Sequence, residues 1–169
     1  LSSKNLNLSA SKKIELIHYI AKSSGHSGVA GGQYLDLNYE KKKVTIKKTL
    51  NMQIKKTGML FIFACVAPVI IAGKKNYLNK FYNIGSDIGL IFQTTDDLLD
   101  LKGDPKKLGK KTNKDKKKGK ATLISLLGYK KTIVYTQILK KKVFKSLNVF
   151  GKKADNLKKT INFILERAK

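Results

Sequence analysis

Asp96, Asp97 and Asp100 close the run Phe92-Gln93-Thr94-Thr95-Asp96-Asp97-Leu98-Leu99-Asp100, whose apolar spacing predicts a helix. Residues three and four apart share a helical face, so Asp96 and Asp100 project together, with Asp97 beside Asp100 and Gln93 one turn before. Three carboxylates on one face repel each other. A divalent cation relieves that repulsion, and hard oxygen ligands select Mg2+, which takes a few carboxylates together with substrate phosphates and keeps several waters. The chemistry expected of the triplet is the handling of a diphosphate.

The segment that follows carries the opposite charge. Residues 102 to 120 hold ten lysines and two aspartates, a local balance of +8, broken by Gly103, Pro105, Gly109 and Gly119, where a chain turns rather than continues a helix. Acid for a metal thus lies beside base for a phosphate. The plainer alternative is a solvated acidic helix face followed by a solubilising lysine run.

The whole ordered string decides between them. The Phe92 to Asp100 run, then Gly103-Asp104, Leu108-Gly109-Lys110, Asp115 and Gly119-Lys120-Ala121-Thr122, resembles the second aspartate-rich region of the trans-prenyltransferases, the farnesyl and geranylgeranyl diphosphate synthase family. Upstream, Gly31-Gly32-Gln33 with Asp36 resembles that family's glycine-glutamine helix, and Lys56-Thr57-Gly58 its lysine-threonine kink. The resemblance extends from about residue 9 to the end of the chain. It implies an all-α helical bundle around a central cavity, and condensation of an allylic diphosphate with isopentenyl diphosphate. It also implies Mg2+ as cofactor and a homodimer in the full-length parent.

Carried over residue by residue, the resemblance makes Asp96, Asp97 and Asp100 the metal-binding group, with Asp97 behind the direct ligands or reaching the ion through water. Lys56 and Lys110 would grip the allylic diphosphate, and Lys120 would support closure of the basic loop. Thr57 and Gln93 would face the allylic cation as neutral dipoles. Arg167 and Lys169 resemble the basic tail that closes over isopentenyl diphosphate. Each assignment has a plainer counterpart: Lys56 as one solvated lysine among many, Thr57 bonding back to its own helix, and Gln33 and Asp36 as structural groups. His18 and His26 show no metal spacing with Cys65.

The sequence also departs from the family pattern. Asn113 stands where a glycine is usual, and it tolerates positive φ better than most residues. Ile124 replaces a proline common after the Gly-Lys-x-Thr stretch. Asp96-Asp97 is the only adjacent aspartate pair and Arg167 the only arginine, so the family's first aspartate-rich motif, with its paired arginines, is absent. The chain therefore reads as the C-terminal half of a synthase, one that begins within a longer protein because residue 1 is Leu1. A non-catalytic or split subunit of such a synthase is the alternative.

Composition sets the frame. A chain of 169 residues, 41% hydrophobic, is long enough for one domain with a core. A formal charge of +25 would ordinarily point to nucleic acid or an anionic surface. An excess made almost wholly of lysine supports only salt-sensitive, non-specific contact, which argues against specific nucleic-acid recognition. Cys65, the single cysteine, sits in an apolar run and fits a reducing, cytoplasmic setting. The run from Met59 to Ala72 is shorter than the ~20 residues a membrane span needs and contains Pro68, so it reads as a buried helix kinked at the proline.

Helices are expected almost everywhere: from Ser9 or Ser11 to Lys22, through Gln33 and Asp36, from about Thr45 to Ala72, from Asn76 to Leu101, and over 122–129, 133–150 and 154–168. Gly28, Gly31 and Gly32 are expected to bring backbones close, and Gly85 and Gly89 to allow tight helix contact. No segment alternates with period two.

Overall fold

The structure, a computed structural model, describes residues 7–102 and 120–167. Among these residues the secondary structure is helical, with no strand. Helix α1 (Ala10–Ser24) starts where the Ser9 side chain accepts from the Lys12 backbone N–H, and it ends at Gly25. Helix α2 (Val29–Asn38) carries Gly32 and Asp36 on its buried side. A turn follows in which Lys41 takes a positive φ of 58°.

Thr45 caps the next helix, α3 (Ile46–Gln53), which passes through a π turn (Ile54–Gly58) into α4 (Met59–Ile71). A short 3-10 turn (Lys75–Tyr77) leads into α5 (Leu78–Lys102), the longest element. After residue 120 lie α6 (Leu123–Leu127), α7 (Tyr129–Leu147), a 3-10 segment (Asn148–Ala154) and α8 (Asp155–Glu166). The element boundaries read from the sequence agree with this order, apart from α7, which begins four residues earlier than expected and gives way to 3-10 geometry at Asn148.

Helix α5 is the axis of the core. Its Ile84, Ile88, Leu90 and Ile91 pack against Leu139, Val143 and Leu147 of α7 and Ile161 and Ile164 of α8. A second cluster joins Leu16 of α1 to Met59, Ile62, Val66 and Ile70 of α4. Burial of such side chains contributes on the order of 2 kcal/mol each, so these two clusters carry most of the driving force.

The apolar run from Met59 is not a fully buried helix. Leu60 and Ile71 are exposed, and only the side bearing Ile62, Val66, Val69 and Ile70 is covered. Helical structure is also continuous from Ile46 to Ile71, 26 residues, which is long and apolar enough by length and composition to cross a membrane. The sequence reading stopped short because Lys47, Lys48, Lys55 and Lys56 interrupt its first half. The departure from α geometry lies at Ile54–Gly58, well upstream of Pro68.

Two glycine contacts set the spacing of the helices around that π turn. A Cβ built on Gly89 would lie 2.5 Å from the Cα of Gly58, and one on Gly32 would lie 2.1 Å from the backbone nitrogen of Lys56. Neither neighbour is a flexible side chain, so any larger residue pushes whole helices apart. Gly32→Ala is expected to lower unfolding stability by about 1–3 kcal/mol in urea titrations, against no more than about 0.5 kcal/mol for an exposed substitution such as Lys47→Ala.

Candidate functional site

A polar cavity of about 180 Å³ opens where α2, the π turn, the C-terminal part of α5 and the residues entering α6 meet. Its lining includes Asp36, Gln53, Lys56, Gln93, Asp96, Asp97 and Lys120. Residues from four separate stretches of sequence converge here. The glycine contacts are what allow it: Gly32 brings α2 onto Lys56, and Gly89 brings α5 onto the residue after Thr57.

Asp36 is buried, and one of its carboxylate oxygens accepts from both Lys56 Nζ at 2.7 Å and Lys120 Nζ at 3.2 Å. Burial alone would raise the pKa of this carboxyl. The hydrogen bonds and positive charges of Lys56 and Lys120 outweigh burial and hold it below its ordinary value of 3.8. Two ammonium groups expected to bind phosphate are thereby gathered on one anion. Gln33, three residues earlier, is exposed and does not line the cavity.

On the other side of the cavity a chain of hydrogen bonds joins the π-turn helix to α5. Gln53 Nε2 donates to Asp97 Oδ2 at 3.0 Å, Gln93 Nε2 donates to Asp97 Oδ1 at 2.8 Å, and Thr57 Oγ1 donates to Gln93 Oε1 at 2.7 Å. Thr57 does not bond back to its own helix, unlike Thr94, Thr132 and Thr136, whose hydroxyls donate to backbone carbonyls four residues before.

The acidic triplet is not the uniform three-carboxylate face expected from spacing. Asp96 and Asp97 line the cavity, whereas Asp100 is buried and absent from its lining. Both oxygens of Asp97 accept from amides. Among the described residues no group of three metal-ligating side chains is placed to hold an ion by itself. Asp96 still suits a hard cation: its carboxylate borders a cavity that also presents Lys56 and Lys120, so a phosphate oxygen would complete the ligand set.

Arg167 is brought to the same region, its guanidinium 5.7 Å from the centre of the Phe92 ring, next to Gln93. Lys110 and Lys169 lie outside the described residues. His18 and His26 are both exposed, and His26 Nδ1 lies 3.4 Å from the Ser27 hydroxyl. Gln53 is the residue that sequence reasoning missed. It belongs to no motif, yet it stands four residues before Thr57 as Gln93 stands four before Asp97, and that parallel was the available signal.

A second, apolar cavity of about 780 Å³ lies along α4 and α5, bordered by the 3-10 segment and α8. Phe61, Cys65, Pro68, Phe81, Ile88 and Phe150 are among its walls. Phe61, one turn after Thr57, packs on Phe92 with ring centres 5.3 Å apart. Burial pushes the Cys65 thiol up to about 11.

The sequence matches the polyprenyl synthetase family over residues 2–162. The chain belongs to that family. It is 35% identical to geranylgeranyl diphosphate synthase of Cyanophora paradoxa over 99% of this chain and 56% of that protein, and 34% identical to farnesyl diphosphate synthase of Micrococcus luteus over 98% and 57%. It spans little more than half the length of these relatives. Among solved structures, an FPP/GFPP synthase of Zymomonas mobilis superposes with a TM-score of 0.82 at 34% identity, covering 96% of this chain and 54% of that one. A geranyltransferase of Helicobacter pylori, complexed with magnesium and isoprenyl diphosphate, gives 0.80 at 26% identity, with 96% and 54% covered. These likenesses establish the all-α isoprenoid synthase fold.

Two outcomes follow. Because the folded pKa of Asp36 lies below its unfolded value, its contribution to stability is present above about pH 4 and is lost as pH falls through the folded pKa. Acid titration followed by circular dichroism should show Asp36→Asn less stable than the parent at pH 7, with the difference shrinking below pH 4. Cys65, with few thiolates at pH 7.5, should react with maleimide on the order of a hundredfold more slowly than free cysteine.

Proposed function

We propose that this chain forms one wall of a short-chain polyprenyl diphosphate synthase that condenses an allylic diphosphate with isopentenyl diphosphate. The observation that carries the reading is that the same two helical stretches, Ile46–Ile71 and α5, line two unlike cavities: a polar one with lysines and aspartates, and an apolar one large enough for a hydrocarbon chain. A prenyl diphosphate has that same division.

Ionisation of the allylic diphosphate puts negative charge on the leaving group and positive charge on the allyl fragment, so the protein's task is electrostatic stabilisation at both ends. Lys56 and Lys120 receive the departing diphosphate as compact charges, with Lys110 assigned the same role by its motif position and Lys169 that of closing over isopentenyl diphosphate. Arg167, beside Phe92, is the planar cation for the second diphosphate. Thr57 and Gln93 face the cation without trapping it. Asp96, with Asp100 one turn on and Asp97 behind, would hold Mg2+, which when bound supplies neutralisation of diphosphate charge.

Two copies pair in the parent protein, which works in the cytoplasm. Support for pairing comes from apolar side chains exposed on α1 and α2: Ile14, Ile17, Tyr34 and Leu37.

Titration of this chain with inorganic pyrophosphate, with and without Mg2+, tests the site. Mg2+ should strengthen binding, and Lys56→Ala should weaken it about tenfold. Salt-sensitive DNA binding with no Mg2+-dependent affinity for pyrophosphate would favour a basic nucleic-acid module instead. In the full-length parent, Asp96→Ala should cut turnover on the order of a hundredfold or more. The 169 residues alone should transfer no prenyl group, because they hold one adjacent aspartate pair and the proposed reaction uses two facing ones.

A further inference from the structure

We propose that Asp97 acts as an orienting anion: held by Gln53 and Gln93, it fixes the direction of the Thr57–Gln93 hydrogen bond and leaves the Thr57 oxygen as an acceptor for the allylic cation. The inference rests on the prenyl diphosphate reading of the site and deepens it. Its argument is one of donors and acceptors. A carboxylate can only accept, so each glutamine that reaches Asp97 must turn its NH2 toward it. The NH2 of Gln93 being committed, its carbonyl oxygen faces Thr57. That oxygen can only accept, so the single hydroxyl proton of Thr57 is committed to it at 2.7 Å.

Both lone pairs of the Thr57 oxygen therefore remain as acceptors, and the negative charge of Asp97 polarises the chain in the same sense. Without that anion the amide of Gln93 could turn over, and Thr57 would then present a proton where positive charge develops. The place of the pair gives this direction its use. Gln93 lines the polar cavity, and Phe61, one turn beyond Thr57, lines the apolar one, so the pair stands where diphosphate and hydrocarbon would part.

Gln53 is a positioning residue in this scheme. It is 3% exposed, its Nε2 is given to Asp97, and its own Oε1 is buried with no hydrogen-bond partner among the described residues. The amide is thus held in place through its donor side, by the bond to Asp97. The same side chain bonds one carboxylate oxygen of Asp97 while Gln93 bonds the other, so both oxygens take part in the relay.

Two measurements on the full chain test the scheme. In nuclear magnetic resonance spectra of 15N-labelled protein, one side-chain amide proton of Gln53 and one of Gln93 should be displaced downfield, and Asp97→Asn should abolish both displacements. Gln53→Met should shift the Gln93 amide and Thr57 signals while leaving those of α7 unmoved, which also shows that the variant folds. A Gln93 amide indifferent to Gln53→Met would overturn the relay. In the second measurement, an allylic diphosphate analogue with a protonated amine at the ionising carbon is compared, with Mg2+ present, with its neutral all-carbon counterpart. The chain should prefer the ammonium analogue about tenfold. Gln53→Met and Thr57→Val should abolish that preference, read in each variant as the ratio of its affinities for the two analogues. Equal affinity for the two analogues in a chain that binds pyrophosphate would overturn the inference. Failure to bind pyrophosphate at all would instead overturn the site reading, and the amide resonances would then decide the relay alone.

Discussion

Everything at the site depends on how closely α5 approaches the helix from Ile46 to Ile71. Gly58 meets Gly89 and Ile62 meets Gly85 with almost no room for a Cβ, and these contacts hold the antiparallel pair in one register. In that register Gln53 comes opposite Asp97 and Thr57 opposite Gln93. The side chains involved are short, and bonds of 2.7–3.0 Å between them form only if the two backbones are nearly in contact. Small residues on one side of the interface are thus the condition for polar pairing on the other.

The two buried carboxylates at the site are stabilised by different means. Asp36 is surrounded by cations, so its charge is cancelled and its role is to gather Lys56 and Lys120. Asp97 accepts from two neutral amides, one on each oxygen, and these hydrogen bonds lead on to Thr57. A protein with a formal charge of +25 can bury anions more readily than cations, and here it places one among lysines and the other among glutamines.

Much of this was legible in the residues. The periodic apolar positions of α5, the Gly85 and Gly89 spacing and the Ser9 cap led directly to helices in the right places, because each reports a local preference. The ordered string from Phe92 to Thr122 carried the family. What stayed hidden was long-range. Nothing local says that Asp36 is shared by Lys56 and Lys120, since the partners stand 20 and 84 positions away. Nor does spacing on one helix show that Asp97 turns to the glutamines while Asp96 borders the cavity. Spacing gives a shared face, and neighbouring helices then decide what each residue on it does.

The π turn has one more consequence. The Met59 N–H reaches back five residues to the Ile54 carbonyl, so Ile54–Gly58 holds one residue more than an α turn would. That extra residue acts as a phase shift between two helical screws, letting Lys56 face α2 while its neighbour Thr57 faces α5. Removing any single residue of the turn would rewind the upstream helix by about 100°. Gln53 would swing away from Asp97 although no residue of the site had been replaced. Within these five positions the number of residues matters more than their kinds, and a gap would be less tolerated than a substitution.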